Sequence, residues 1–150
     1  MLSTKLVQLI EGNWEQIARR LVGAVRQHPD MQNLSQRPDQ ELREWCRNIL
    51  QNLGQSLATP KEEEIRQRFQ VLGRMRFEEK IPLHEAVLRL HVLKDKIIGF
   101  VHEQGFTMTA MELYAEEELE LRMGRFFDGL VYNVVRGYED ALRRAQRLAS

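Results

Sequence analysis

The sequence predicts an all-α fold. Apolar residues recur every three or four positions through most of the chain, which gathers them on one face of a helix. Nine glycines and four prolines in 150 residues are too few for the many turns of an all-β protein. No segment alternates apolar and polar residues as a half-buried strand does, and the abundant Leu, Glu, Arg and Gln are good helix formers.

Five helical segments follow from the pattern. The first runs from about Ser3 to His28, with Leu6, Ile10, Trp14, Ile17, Leu21 and Val25 in phase. Pro29 ends it, because proline disfavours helical backbone in the residue before it. A polar connection, Met31 to Arg37, leads to a second helix that begins near Pro38-Asp39 and ends before Thr59-Pro60. Its apolar side is Leu42, Trp45, Cys46, Ile49, Leu53 and Leu57. Thr59-Pro60-Lys61-Glu62 reads as a capped helix start, followed by acidic residues that complement the positive end of the helix dipole. This third helix is expected to bury Ile65, Phe69, Leu72 and Met75. Ile81-Pro82-Leu83 interrupts it. The fourth helix reaches about Gln104 along the stripe Leu83, Val87, Leu90, Leu93, Ile97, Phe100 and Val101, and Gly105 is placed to stop it.

Thr109-Ala110-Met111-Glu112 is a second capping-box pattern. The helix after it keeps near-helical phase to Arg147 through Met111, Ala115, Leu119, Phe126, Leu130, Val134, Ala141 and Ala145. Some 36 residues at 1.5 Å each reach about 54 Å, more than a compact domain of this size needs. The helix therefore either kinks near Gly124, Gly129 or Gly137 or projects at its end. Projection of residues 141–150 is favoured. Short connections between helices suit a bundle or a globin-like packing, and periodicity does not choose between them.

A chain of 150 residues is the size of one domain, long enough to bury about 70% of its unfolded surface. Its 22 basic and 22 acidic residues cancel, so no net field draws it to nucleic acid. No stretch approaches the roughly 18 apolar residues of a membrane span, and a cytoplasmic location is expected. The single cysteine, Cys46, excludes a disulfide within the chain and reads as a buried, inert thiol.

Patterns of catalysis are missing. The chain has no glycine-rich phosphate loop, no G-x-S-x-G, no H-E-x-x-H, no paired cysteines and no Glu-x-x-His of the ferritin-like metal sites. The run Glu116-Glu117-Glu118 with Glu120 reads as a solvated face, since consecutive helical residues point about 100° apart. His84, His91 and His102 return to within about 20° of one another along the fourth helix, and Asp95 shares their line. A metal is not expected; if one bound, His91 and Asp95 would be its ligands. A haem would need His91 or His102 as axial ligand, but neither lies at the centre of the apolar stripe, and no cofactor is expected. Trp14, Trp45, Phe126 and Phe127 are the aromatic side chains that would line a small-molecule pocket.

The stretch Ile65-Arg66-Gln67-Arg68-Phe69-Gln70-Val71-Leu72-Gly73-Arg74-Met75-Arg76, then Glu79-Lys80-Ile81-Pro82-Leu83-His84-Glu85-Ala86-Val87, resembles the N-terminal sensor domain of RsbT co-antagonist proteins, the RsbRD type. Phe127-Asp128 and Tyr138-Glu139-Asp140-Ala141 resemble its ending. Where that pattern often has glycine before Ile-Pro-Leu, this chain has Lys80. The resemblance, over about residues 5–147, implies a helical domain related to haem-free globin-like sensors of stress signalling, usually dimeric. It implies an output module of the STAS or histidine kinase type, reached through the last helix, and no catalytic residues.

The sequence thus reads as a non-enzymatic sensory or scaffold domain of bacterial stress-response or two-component signalling. It is expected to act as a homodimer, to send a packing change along its C-terminal helix, and to stand alone or be a piece of a longer chain. Val7, Val131 and Val135 are the apolar positions expected to remain exposed for a partner, and any small ligand is unidentified. The alternative is a globin-type haem or small-ligand binding protein.

Overall fold

The computed structural model describes residues 4–58, 62–104 and 109–149. Among them are seven α-helices: α1 (Thr4–Gly12), α2 (Trp14–Gln27), α3 (Asp39–Leu50), α4 (Leu53–Ala58), α5 (Glu62–Glu78), α6 (Leu83–Glu103) and α7 (Ala110–Ala149). A 3-10 turn, Leu34–Gln36, lies between α2 and α3. The described residues contain no strand. The first two expected helices are each divided. Asn13 leaves helical backbone, with φ −116° and ψ 25°, and its side-chain amide donates to the carbonyl of Leu9 at 2.7 Å. Gly12-Asn13 is a pair of weak helix formers, so a side-chain bond that competes with the backbone ladder breaks it there. The second break, at Gln51-Asn52, lets α4 turn its Leu53 and Leu57 inward.

Every helix contributes to one cluster of buried side chains. Ile10, Ile17, Leu21, Leu42, Leu50, Leu93, Phe100 and Phe127 are among those with essentially no exposure. Each is worth about 1.5–3 kcal/mol of transfer free energy. Two expected core positions lie outside instead: Met75 on α5 is exposed, and Met111 is 83% exposed. On α7 the buried stripe is Glu116, Leu119, Met123, Phe127, Leu130, Val134 and Gly137.

α7 packs along α5 more extensively than any other two elements pack. Glycines on both sides make this possible. A Cβ at Gly137 would overlap the backbone of Gln70, and one at Gly73 would overlap the carbonyl of Val134. Gly137, a candidate kink in the sequence, is thus a point where two backbones touch, and α7 runs unbroken for 40 residues, about 60 Å. Around the crossing, the Gln70 side-chain amide donates to Asn133 Oδ1 at 3.2 Å. The Tyr138 hydroxyl donates to the Ile81 carbonyl at 3.0 Å, with its ring edge-on to Phe77. Past Ala141, residues 142–149 are exposed throughout.

Helix ends follow local chemistry. Thr109 and Glu112 form the expected capping box: the Glu112 amide donates to Thr109 Oγ1 at 3.1 Å, and the Thr109 amide to Glu112 Oε2 at 3.4 Å. The cap expected at Thr59-Pro60-Lys61 and the stop at Gly105 lie outside the described residues. α5 ends in a Schellman motif, in which the Ile81 amide donates to the Arg76 carbonyl and the Lys80 amide to the Phe77 carbonyl, both at 3.0 Å. Lys80 takes the left-handed position of that motif, with φ 60°. This is the place where the resemblance leads one to expect glycine, and the Cβ of a lysine is strained there. Its side chain is exposed, so removing it loses no packing. Lys80→Gly should stabilise the protein by about 0.5–1 kcal/mol and raise its Tm by roughly 1–4 °C in calorimetry. An unchanged or lowered Tm would show that the left-handed turn is not a source of strain.

Candidate functional site

The end of α6 meets the beginning of α7 through polar groups. Glu116 and Glu120 are one helical turn apart, so both face α6. His102, in the last turn of α6, lies between them. Its Nε2 is 2.9 Å from Glu116 Oε1 and 2.6 Å from Glu120 Oε1. The three donor atoms lie within 4.8 Å of one another, and no other such trio of His, Cys, Asp and Glu occurs among the described residues. The Glu116 side chain is only 9% exposed, against 54% for His102 and 38% for Glu120. Neither glutamate pairs with a lysine or arginine among the described residues. Glu118 turns elsewhere: Arg122, one turn on, hydrogen-bonds to its carboxylate and holds it below the usual range.

The expected residues fall differently. His91 and Asp95 are exposed on α6 and gather no third ligand among the described residues. The acidic run is only in part the solvated face its spacing suggests; half of it converges, because Glu116 and Glu120 are spaced by four. That spacing is the signal the sequence offers, but the histidine that completes the group comes from another helix. Val7, expected outside, is 5% exposed and lies beside Gly54, where a Cβ would stand 2.6 Å from its Cγ1. Val7 thus packs on α4, the short helix that the second break sets apart. Val131 and Val135 are half-buried.

A cleft of about 640 Å³ opens where α4, α5 and α7 meet, with Phe126, Asn133, Arg66 and Arg122 among its walls. Of the other aromatic side chains, Phe127 is core and Trp14 is half-buried with Arg47 over its ring. Trp45 borders a second, small cavity of about 20 Å³, beside Arg89, Arg76 and Val134. That volume is the size that holds one water.

Arg89 is the buried charge that periodicity concealed. It is 2% exposed, its guanidinium lies 4.0 Å over the Trp45 ring, and its Nε has no partner among the described residues. Burial, and next the like charge of Arg76, push it down to about 9, which leaves it protonated at neutral pH. Burial likewise pushes the neighbouring Cys46 thiol up to about 12, with Arg89 pulling the other way. Cys46 is the inert thiol its pattern suggested. Glu85, also 3% exposed, serves the fold: its Oε1 accepts from the amides of Asn33 and Leu34 at 2.9 and 2.8 Å.

A model of the RsbT co-antagonist protein rsbRD N-terminal domain matches residues 15–150. The chain belongs to that family. Comparison with curated proteins and with solved structures gave no match. The family is one of sensory domains of stress signalling. No helix of the described residues is long and apolar enough to cross a membrane.

A buried arginine with an unpartnered nitrogen costs stability unless its surroundings compensate. Arg89→Met, similar in length and uncharged, should therefore leave the stability of this RsbRD-type domain unchanged or raise it in urea denaturation. Arg89→Ala, which opens a cavity, should lower it by about 2–4 kcal/mol. A loss of more than about 2 kcal/mol in the methionine variant would mean that Trp45 and Glu79 over-compensate the burial.

Proposed function

We propose that this domain works as a cytoplasmic homodimeric sensor that passes a change in α5–α7 packing along α7 to an output module of the STAS or histidine kinase type. The observation that carries this reading is the form of α7. From Glu116 to Gly137 it buries one stripe of side chains against its neighbours, α5 and α6 foremost, while residues 142–149 continue the same helix exposed. Leu142 and Leu148, 41% and 89% exposed, are apolar side chains that an attached or adjoining partner would bury. Arg143 is within 4 Å of Glu139 and Asp140, which supports the helix at its exposed end.

The cleft of about 640 Å³ is where a small ligand would act. Its size is that of a small-molecule site, and a ligand seated there touches α5 and α7 together. A ligand shifts an equilibrium only by its differential affinity for the two states. A molecule that spans both helices near their glycine crossing has the means to discriminate between packings.

The transmission is tested in a fusion whose kinase module continues the α7 helix. Removing one residue from 142–149 rotates the output by about 100°, whereas removing seven returns it to within about 20°. Kinase activity should change with the first deletion and return with the second. Activity indifferent to helical phase would refute transmission by α7. Sedimentation equilibrium of the free domain tests the dimer separately, and a monomer at high concentration would remove it from the proposal.

A further inference from the structure

We propose that His102, Glu116 and Glu120 form a binding site for a divalent transition metal of the zinc class, which clamps the end of α6 to the start of α7. The inference rests on this geometry and not on the sensory role of the domain.

Four features point to a cation. The donors come from two helices and converge within 4.8 Å. Glu116 is buried at the head of the apolar stripe of α7, where a carboxylate is expensive without a counter-charge. Two carboxylates share one imidazole, and no lysine or arginine neutralises either one among the described residues. A dication would balance both.

The donor types select the class of metal. One imidazole nitrogen and two carboxylate oxygens suit zinc, with metal–ligand bonds of about 2.0–2.2 Å. Calcium takes six to eight oxygens and magnesium favours an octahedral, water-rich shell, for which a trio that includes imidazole is poorly matched. Zinc in tetrahedral geometry would set its ligand atoms about 3.3–3.6 Å apart. The present separations of 2.6 and 2.9 Å are those of hydrogen bonds, so the imidazole must withdraw slightly to admit the ion. His102 is 54% exposed and has room to do so. The exposed side of the site leaves the fourth position to water.

The effect would be mechanical. His102 and Glu116 are separated in sequence by the connection between α6 and α7. A metal across them would close that corner of the fold and fix the register of α7 against α6.

The test is a titration of the tag-free protein with Co²⁺ and then Zn²⁺, followed by visible absorption and thermal melting. One Co²⁺ per chain with the strong bands of a four-coordinate site is expected, displaced by Zn²⁺, with a Tm rise of about 5 °C or more at a hundredfold excess over Kd. His102→Ala and Glu120→Gln should each weaken binding at least about tenfold; both sites are exposed enough to tolerate substitution. Glu116→Gln should do the same, provided its circular dichroism shows it folded. His91→Ala with Asp95→Ala should leave binding unchanged. Absence of stoichiometric binding, binding that survives His102→Ala, or binding lost with His91 and Asp95 would each overturn the proposal.

Discussion

The contact between α5 and α7 at Gly73 and Gly137 is the constraint on which the rest of the fold depends. Two helices whose backbones touch can occupy only one relative position, because any side chain beyond hydrogen at either point would overlap main-chain atoms. This close approach brings Gln70 to Asn133 and lets Tyr138 reach past α5 to the carbonyl of Ile81. It also places Val134 against the small cavity that Arg89 and Trp45 line. Apolar side chains alone tolerate sliding by a fraction of a turn, since one leucine replaces another at modest cost. Backbone contact flanked by directional hydrogen bonds does not. The crossing therefore sets the register from which both the 640 Å³ cleft and the exposed end of α7 are defined.

Buried polar groups are unequally satisfied in this frame. Glu85 joins α6 to the 3-10 turn by accepting two backbone amides, and removing it would leave both donors unpaired. Asn133 is similarly engaged, donating to Gly129 at 2.9 Å while accepting from Gln70. Arg89 has an aromatic face but an Nε without a partner among the described residues. A cation–π contact is worth about 2 kcal/mol when desolvated, less than the several kcal/mol that burial of an ion costs. The nearby pair Arg76–Glu79, at 3.2 Å, leaves one buried atom on each partner without a bond among the described residues. This corner between α3, α5 and α6 is held by compromise, in contrast to the saturated contacts at Glu85.

Much of the helical plan is legible in the sequence because it depends on local order. Pro82, the Thr109–Glu112 box and the three-to-four spacing of Ile17, Leu21 and Val25 act within one or two turns, and the structure uses them in that way. The breaks at Asn13 and Gln51 are not legible, since the apolar phase passes through them without interruption. The second of them decides the fate of Val7, which is why its expected exposure fails. Met111 fits the apolar phase and yet lies outside, because phase does not say how far a helix extends beyond the elements that cover it; Met75 lies outside although its neighbours Gly73 and Phe77 pack on α7, because it points away from that crossing. The His102 group is hidden for a different reason. Two of its members share a helix at a spacing of four, but convergence with a third is a property of packing. Gly137 stands out in the sequence as a possible bend; its meaning requires a second glycine, Gly73, 64 positions away.

The polarity of α7 along its length bears on how a disturbance travels. At its head stands a buried carboxylate facing an imidazole, in its middle the apolar run from Leu119 to Val134, then a backbone contact at Gly137, and finally eight exposed residues. The first three zones are fastened by different physics: electrostatics, dispersion and hydrophobic burial, and steric exclusion. An uninterrupted helix couples them as a rod. A change at any one zone must either be absorbed by distorting backbone hydrogen bonds or be carried as rotation or translation of the whole element. Distortion is expensive where no proline or π-bulge weakens the ladder, and α7 contains no proline. Residues 142–149, all exposed, are the least restrained by packing. For the proposed transmission, displacement would therefore be the cheaper response, and it would be largest where the helix is least covered, beyond Ala141.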